Sequence, residues 1–288
     1  MKKLLCMLLA VLLCVTMLAG CGAKDDAADA PADDAANTPA TLDEPTDADD
    51  DAEAASGSDL EEIKADGKMI VGITNYEPMN YPDENGEWTG FDTEFTLAVA
   101  EKLGVEVEFI EIDWDNKILE LDSKSIDCVW NGMTLTDEVD AAMECSTPYV
   151  KNAQVVVMAK DEVANYADVE SLADLTFAAE AGSAGEAILA DNGLECTSVL
   201  TQGDALVEVA SGAADACVID ITMANAMTGE GTSYADLGYE LELSTEVYVI
   251  GFRKGADTAA AVNDIIAEMF ADGTLEALAE KYNLVLAQ

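Results

Sequence analysis

Residues 90–112 read GFDTEFTLAVAEKLGVEVEFIEI, and this stretch decides the fold. Its first part, Asp92 to Leu103, has apolar residues at helical spacing and is followed by Gly104, a residue type that commonly ends a helix. Val105 to Ile112 then predicts a β-strand. A helix that leads directly into a strand is typical of α/β proteins.

The same alternation continues on both sides of this stretch. Asp83 to Glu87 contains the Asn-Gly pair of a hairpin turn. The segments Asp127-Cys-Val-Trp and Asp215-Ala-Cys-Val each place an acid before a short apolar strand, which indicates two similar α/β lobes. Other strands are predicted near 69–74, 154–159, 175–179, 195–200 and 248–253, and helices near 115–122, 257–271 and 274–282.

Composition excludes several classes of function. The 288 residues include 59 acids, 13 bases and no histidine, which gives a formal net charge of −46. Nucleic-acid binding is excluded because phosphate contacts need clustered lysine and arginine. The lack of histidine excludes His-dependent triads and His-ligated zinc. No CxxC pair supports a zinc or redox site, so we expect no metal and no cofactor.

The N-terminus has the order of an export signal. Met1-Lys-Lys precedes an apolar run from Leu4 to Leu18, which is too short for an ordinary spanning helix. The run ends in Leu18-Ala-Gly-Cys21, which resembles a bacterial lipobox. We expect residues 1–20 to be a signal peptide, Cys21 to carry a diacylglycerol, and residues 21–59 to form a disordered acidic tether. The alternative is a plain signal peptide with a chance cysteine.

Besides Cys21, four cysteines remain in the expected mature chain. Cys128 and Cys217 lie in apolar strand-like runs and are predicted to be buried small hydrophobes. An exported location permits disulfides, but the state of these two, and of Cys145 and Cys196, stays open.

A set of short motifs follows Gly90–Leu103 in a definite order. They are NGMTLT (131–136), STPY (146–149), AGS (181–183), DACVID (215–220), EVYVIGFRK (246–254) and DGTL (272–275). Together, over about residues 66–284, they resemble family 3 of the bacterial extracellular solute-binding proteins, the polar amino-acid receptors of ABC importers. The ordered set is far more specific than any single motif.

This resemblance implies a fold. It is the type II periplasmic-binding-protein-like clamshell, an α/β fold of two lobes joined by two crossing hinge segments. The crossings would fall near Val150–Ala153 and Leu243–Tyr248. One lobe would hold residues 66–152 and 247–288, and the other residues 153–246. Hinge closure around a small solute is the expected motion.

The resemblance also implies a set of ligand-binding residues. Aromatic rings would sandwich the solute side chain, polar groups at strand ends would hold its α-amino and carboxylate groups, and one acid would pair with its α-ammonium. The residues at these positions are Tyr76, Trp114, Asn131, Gly132, Thr134, Glu180, Ser183 and Asp220. Four have ordinary alternatives: Tyr76 and Trp114 as core aromatics, Thr134 as a helix cap, and Asp220 as an N-cap. Glu180 could instead point to solvent.

One position departs from the family pattern. Val139 stands where the family usually has an arginine that grips the ligand carboxylate. Arg253, the only arginine, matches a framework strand instead. A bidentate arginine is not replaced conservatively even by lysine. Either the solute carboxylate rests on helix N–H groups alone, or the solute lacks one. We expect a solute whose positive charge matters more than its carboxylate: a cationic amino acid first, a diamine second.

The expected function is that of a solute-binding lipoprotein. It would sit on the extracytoplasmic face of the cell membrane, as a monomer, and deliver a small amino-containing solute to an ABC permease. One alternative is an enzyme on the same fold, such as a dehydratase. Another is a sensor or scavenging lipoprotein that works without a transporter and binds a polyamine or other cationic solute.

Replacing Cys21 with alanine tests the anchor. Without the sulfur that would carry the diacylglycerol, the protein should move from the membrane fraction to the soluble fraction after cell lysis. Cys14→Ala, inside the expected signal peptide, is the matched control and should leave fractionation unchanged. A Cys21→Ala protein that stays in the membrane fraction would show that the lipid assignment is wrong.

Overall fold

The computed structural model describes residues 58–288. The predicted signal peptide, Cys21 and nearly all of the predicted tether lie outside the described residues. The strands are β1 (Lys68–Ile73), β2 (Tyr81–Pro82), β3 (Trp88–Thr89), β4 (Glu106–Glu111), β5 (Cys128–Thr134), β6 (Met143–Cys145), β7 (Val150–Asn152), β8 (Gln154–Ala159), β9 (Phe177–Glu180), β10 (Cys196–Val199), β11 (Ala216–Asp220), β12 (Leu237–Glu242) and β13 (Glu246–Arg253). The helices are α1 (Asp59–Asp66), α2 (Phe91–Leu103), α3 (Lys117–Asp122), α4 (Asp137–Ala142), α5 (Ala184–Asp191), α6 (Gln202–Ser211), α7 (Ile221–Met227), α8 (Thr258–Ala271) and α9 (Thr274–Lys281), with 3-10 helices at Trp114–Asn116, Val163–Asn165 and Val169–Leu172.

The first sheet has six strands in the order β4-β1-β5-β13-β6, and β7 also pairs with β13. Strands β4, β1 and β5 are parallel, whereas β13 is antiparallel to β5. Helix α2 packs against this sheet through Phe91, Phe95 and Val99. Its C-terminus is Gly104 in the left-handed conformation, as the sequence predicts.

The second sheet has five strands in the order β10-β9-β11-β8-β12. Strands β10, β9 and β11 are parallel, and β8 is antiparallel to β11 and β12. Each sheet thus combines parallel strands with an antiparallel strand that arrives from the other sheet. Because the carboxyl ends of parallel strands are where ligands collect in α/β folds, β5 and β11 are the strands that matter for the site.

The chain passes between the sheets twice. Strand β7 belongs to the first sheet and β8 to the second, so Ala153 lies at one crossing. Strand β12 belongs to the second sheet and β13 to the first, so residues 243–245 form the other crossing. Two mixed sheets joined by two short crossings give a two-lobed clamshell.

Helix α1 lies before the predicted start of the first lobe. The sequence predicts a tether that ends at residue 59 and a first lobe that begins at residue 66. In the structure Ser58 caps α1 by accepting a hydrogen bond from the backbone N–H of Glu61, at 3.0 Å. Asp59 pairs with Arg253 at 2.6 Å. These contacts stabilise a helix that an acidic, weakly apolar segment does not predict by itself.

Three strands were not predicted. Strands β6 and β7 have three residues each and exist because they pair with β13. Strand β12 pairs with β8 over a much longer stretch, with one irregularity between Tyr239 and Glu242. Cys128 and Cys217 are fully buried, as predicted, and the four cysteines of the described chain are unpaired.

Residues 58–288 contain no helix that is both long enough and apolar enough to span a bilayer.

Arg253 contacts three other parts of the first lobe. Its guanidinium pairs with Asp59 in α1 and with Asp127 just before β5, at 2.6 and 3.2 Å. It also donates to the backbone oxygens of Leu121 and Ile126, at 3.3 and 2.7 Å. The planar fork of arginine suits this arrangement, which a point charge cannot reproduce.

Arg253→Ala should lower the free energy of unfolding by about 3 kcal/mol, because it leaves two partly buried carboxylates without their partner. Lys68→Ala is the control: it removes an exposed ion pair with Glu108 and should cost less than about 1 kcal/mol. Urea unfolding measures both. Equal effects of the two substitutions would contradict a structural role for Arg253.

Candidate functional site

A cavity of about 390 Å³ lies between the two sheets. This volume is in the range of small-molecule sites. All eight residues predicted from the sequence line it, which brings together side chains from both lobes. They are Tyr76, Trp114, Asn131, Gly132, Thr134, Glu180, Ser183 and Asp220.

Asp220, at the end of β11, is the most heavily hydrogen-bonded group of the cavity. Its carboxylate accepts from Asn152, from Gln154 at 2.6 Å and from Gln202 at 2.6 Å. Tyr76 adds a fourth bond at 2.9 Å. Burial raises the pKa of Asp220 to about 6, and the donation from Gln202 opposes that rise. Asp220 occupies the N-cap position of helix α7, but its side chain makes no capping hydrogen bond there.

Tyr76 reaches this acid from the other lobe. Its hydroxyl lies 2.6 Å from the Thr222 hydroxyl and 2.5 Å from the Tyr248 hydroxyl, besides its bond to Asp220. Burial raises the pKa of Tyr76 well above its ordinary value. The ring is buried, and the hydroxyl joins the two lobes at the floor of the cavity.

The polar groups of β5 that line the cavity are hydrogen-bonded mainly to other groups of the protein. The Asn131 amide oxygen accepts from the backbone N–H of Thr74 at 3.0 Å, and its nitrogen donates to the Thr74 carbonyl at 3.0 Å. The Gly132 N–H donates to buried Asp92 at 2.6 Å. A Cβ on Gly132 would lie 2.7 Å from the Tyr76 ring, and its φ is +55°, so only glycine fits here.

Thr134 ends β5, and its hydroxyl donates to Glu246 at 2.9 Å. It is therefore not the helix cap that the sequence left open. Thr136 caps α4 instead, accepting from the N–H of Val139 at 3.1 Å. In the other lobe, Ser183 caps α5 by accepting from the N–H of Glu186 at 3.1 Å.

Glu180 points into the protein, not to solvent. It is 3% exposed, and its Oε1 has no hydrogen-bond partner in the described chain. Burial, followed by the charge of Asp220, raises its pKa to about 8. A buried carboxyl with a free oxygen is a strong acceptor for a donor brought by a ligand.

Glu246 is a third acid of the cavity that sequence reasoning missed. Its Oε2 accepts from Asn152 at 3.0 Å and from Gln154 at 3.0 Å. These two amides therefore bridge the carboxylates of Asp220 and Glu246. Asn152 and Gln154 flank Ala153, within the crossing that the sequence predicts near Val150–Ala153, but their contacts with the two acids become visible only in the fold.

Trp114 and Val139 form the opposite wall. Both are buried in one apolar cluster and line the cavity. Lys117, which was also missed, lies over the Trp114 ring, with its ammonium 5.2 Å from the ring centroid. The spacing of three residues between Trp114 and Lys117 places both on one side of a helical turn, a signal that could have found the lysine.

A family model described as bacterial extracellular solute-binding proteins, family 3, matches residues 69–285. The L-cystine-binding protein TcyJ of Escherichia coli (strain K12) is 31% identical over 237 residues, which cover 77% of this chain and 85% of that protein.

Solved structures show the same architecture. A P235GK mutant of an arginine-binding protein from T. maritima is 32% identical with a TM-score of 0.73, and covers 78% of this chain and 98% of its own. An ABC uptake transporter substrate binding protein from Streptococcus pneumoniae with bound histidine is 29% identical, with a TM-score of 0.73. The match covers 79% of this chain and 96% of that chain. With the two mixed sheets, these matches confirm the predicted clamshell.

Glu180→Gln should change the pH dependence of stability. The folded protein keeps the Glu180 proton up to about pH 8, whereas the unfolded chain gives it up near the ordinary pKa of 4.5. The wild-type free energy of unfolding therefore falls between these values, by at most about 1.4 kcal/mol per pH unit from this group. The variant lacks that contribution and should gain stability relative to wild type from pH 4 to pH 8.

Urea unfolding of the ligand-free protein at pH 4, 6 and 8 gives the comparison. Glu170→Gln, at an exposed carboxylate of the same lobe, should follow the wild type. A constant difference between Glu180→Gln and wild type at all three pH values would contradict the assignment.

Proposed function

Because the chain belongs to the bacterial extracellular solute-binding proteins of family 3, we propose that it captures an amino acid in the cleft between its lobes and delivers it to an ABC permease. The observation that carries the proposal is the cavity itself, which is lined from both lobes and contains buried, hydrogen-bonding acids. A solute held between two lobes stabilises the closed form, which is the form a permease could distinguish from the empty receptor.

The acids support a solute with positive charge beyond the α-ammonium group. Asp220 and Glu246 face each other across the bridging amides of Asn152 and Gln154, and Glu180 has a free oxygen. A solute ammonium would replace amide donors between the two carboxylates. A charge-assisted hydrogen bond there is stronger than the neutral one that it replaces.

The relatives support this class of solute. Cystine, arginine and histidine, which the names of the matched proteins carry, each have a nitrogen group in addition to one α-ammonium. Arginine and lysine place a full positive charge at the end of the side chain. We therefore place a cationic amino acid first.

The site of action follows from the N-terminal sequence. A lipid on Cys21 would hold the receptor at the outer face of the cytoplasmic membrane, and the acidic segment after it would let the folded part move within reach of a permease. The receptor would work there as a monomer that binds without transforming its solute, so a solute recovered after incubation should be chemically intact.

Calorimetric titration tests the proposal. Arginine, lysine, cystine and histidine should be compared with glutamate and putrescine. Asp220→Asn keeps the size of the side chain but removes the countercharge, and should weaken binding of a cationic amino acid by about 2–5 kcal/mol. Asp161→Asn, an exposed acid in the same lobe, is the matched control and should bind as the wild type does.

Two results would overturn the substrate class. One is tight binding of glutamate with no response to the cationic amino acids. The other is an unchanged affinity in Asp220→Asn, which would remove Asp220 from the site.

A further inference from the structure

Lys117 is the one cationic side chain that lines the cavity in the described chain. It is the first residue of α3 and is only 6% exposed, whereas the other lysines of residues 58–288 are not buried. The same cavity is lined by the acids Asp137, Glu138, Glu180, Asp191, Asp220 and Glu246. A single buried cation among so many acids needs an explanation, since burying an ammonium group is costly.

The ammonium group has no ion-pair partner within 4.0 Å among the described residues. It donates to two neutral oxygens, the backbone carbonyl of Trp114 at 3.3 Å and that of Gly182 at 2.8 Å. Burial lowers the pKa of Lys117, although the charges of Glu138 and Glu180 oppose that shift. The lysine is thus satisfied as a hydrogen-bond donor but not paired as a charge.

One of these two bonds crosses the cleft. Gly182 belongs to the second lobe and lies so close to the 3-10 helix at Trp114–Asn116 that a Cβ on it would be 2.7 Å from the Asp115 Cα. The Gly182 carbonyl is therefore an acceptor that the second lobe brings to Lys117. A solute that enters between the lobes meets the ammonium group at this point.

No other lysine or arginine of residues 58–288 lines the neighbouring wall. Val139 packs with Trp114 in one apolar cluster, and its side chain offers nothing to a carboxylate. The Trp114 ring in turn supports the Lys117 ammonium on its face. A cation is thus held on the ring of the same tryptophan that packs with Val139.

We propose that Lys117 binds the carboxylate of the captured solute and so makes the receptor selective for amino acids over the corresponding amines. This proposal rests on the proposed function. On binding, the solute carboxylate replaces the Gly182 carbonyl as the acceptor and supplies the missing counterion. A diamine does the opposite: it brings a second cation to Lys117 and leaves the ammonium group unpaired. A diamine, the second of the two solute classes expected from the sequence, is therefore disfavoured.

Three pairs of probes test the proposal, because the members of each pair differ only in carboxylate groups: arginine and agmatine, lysine and cadaverine, cystine and cystamine. The wild type should bind the amino acid of at least one pair more tightly than its amine. Lys117→Met keeps the length of the side chain and removes its charge. The substitution should weaken binding of the amino acid by about 10- to 100-fold, as expected for the loss of a hydrogen bond to a charged group. Binding of the amine should be unchanged or tighter.

Two further variants keep the result clear. Lys117→Arg retains a cation and should keep the preference for the amino acid. Lys160→Met removes an exposed lysine, matches the change in net charge, and should bind both probes as the wild type does. Thermal unfolding of each variant checks that it is folded.

The outcomes separate the two proposals. The role of Lys117 is overturned, while solute capture stands, if Lys117→Met weakens binding of the amino acid and of the amine equally. It is also overturned if the substitution does not weaken binding of the amino acid. A wild type that binds an amine as tightly as its amino acid overturns it as well. Failure of all six probes to bind, with binding of histidine or glutamate retained, overturns the cationic solute class; failure of every amino acid tested overturns the proposed function and, with it, the role of Lys117.

Discussion

The carboxylate of Asp220 collects hydrogen bonds from Tyr76 in one lobe, from Gln202 in the other, and from Asn152 and Gln154 on either side of a crossing. An ionised carboxylate out of water is costly unless donors satisfy it, and these four donors offset that cost for Asp220. The contact between the lobes, the position of the crossing and the floor of the cavity all depend on this one group. A solute that brings a better donor competes with the same bonds, which couples binding to the arrangement of the lobes.

The cavity brings groups of both charge signs together. Asp220, Glu246 and Glu180 line it, and so does Lys117, which lies against Trp114. Groups of both signs suit a solute that carries cationic groups as well as a carboxylate. The strongly acidic surface, part of a net charge of −46, steers cations towards the protein but does not select among them. Selection depends on the buried groups.

The sequence predicted those parts of the fold that depend on local signals. Helix α2 and its glycine stop, strand β8 and the Asn-Gly hairpin lie within a residue or two of their predicted places. Strands β6 and β7 could not be predicted, because three residues carry no periodicity and their pairing with β13 comes from distant parts of the chain. Strand β12 alternates apolar and other residues over Leu237–Glu242, so the sequence carries a signal for this strand although it is not among the predicted ones.

The site was predicted less completely than the fold. The residues that the family resemblance indicated all line one cavity, but their hydrogen-bond partners are set by tertiary contacts that no spacing reveals. Glu246 reaches Asp220 only through the amides of Asn152 and Gln154. The spacing of Lys117 from Trp114 is a local signal, but its bond to the Gly182 carbonyl forms only when the lobes meet. The missing arginine at Val139 was visible in the sequence, but the bond that joins Lys117 to the second lobe was not.

The central claim is that buried acids of the cleft receive the positive charge of the solute, and proton exchange on binding tests it most directly. Burial holds the pKa of Glu180 at about 8 in the empty protein, and a bound cation must lower it. Calorimetry of a cationic amino acid at pH 7, in buffers with different ionisation enthalpies, counts the protons exchanged. The account predicts a net release that approaches one proton per solute bound. Binding without proton exchange, or with net uptake, would contradict it.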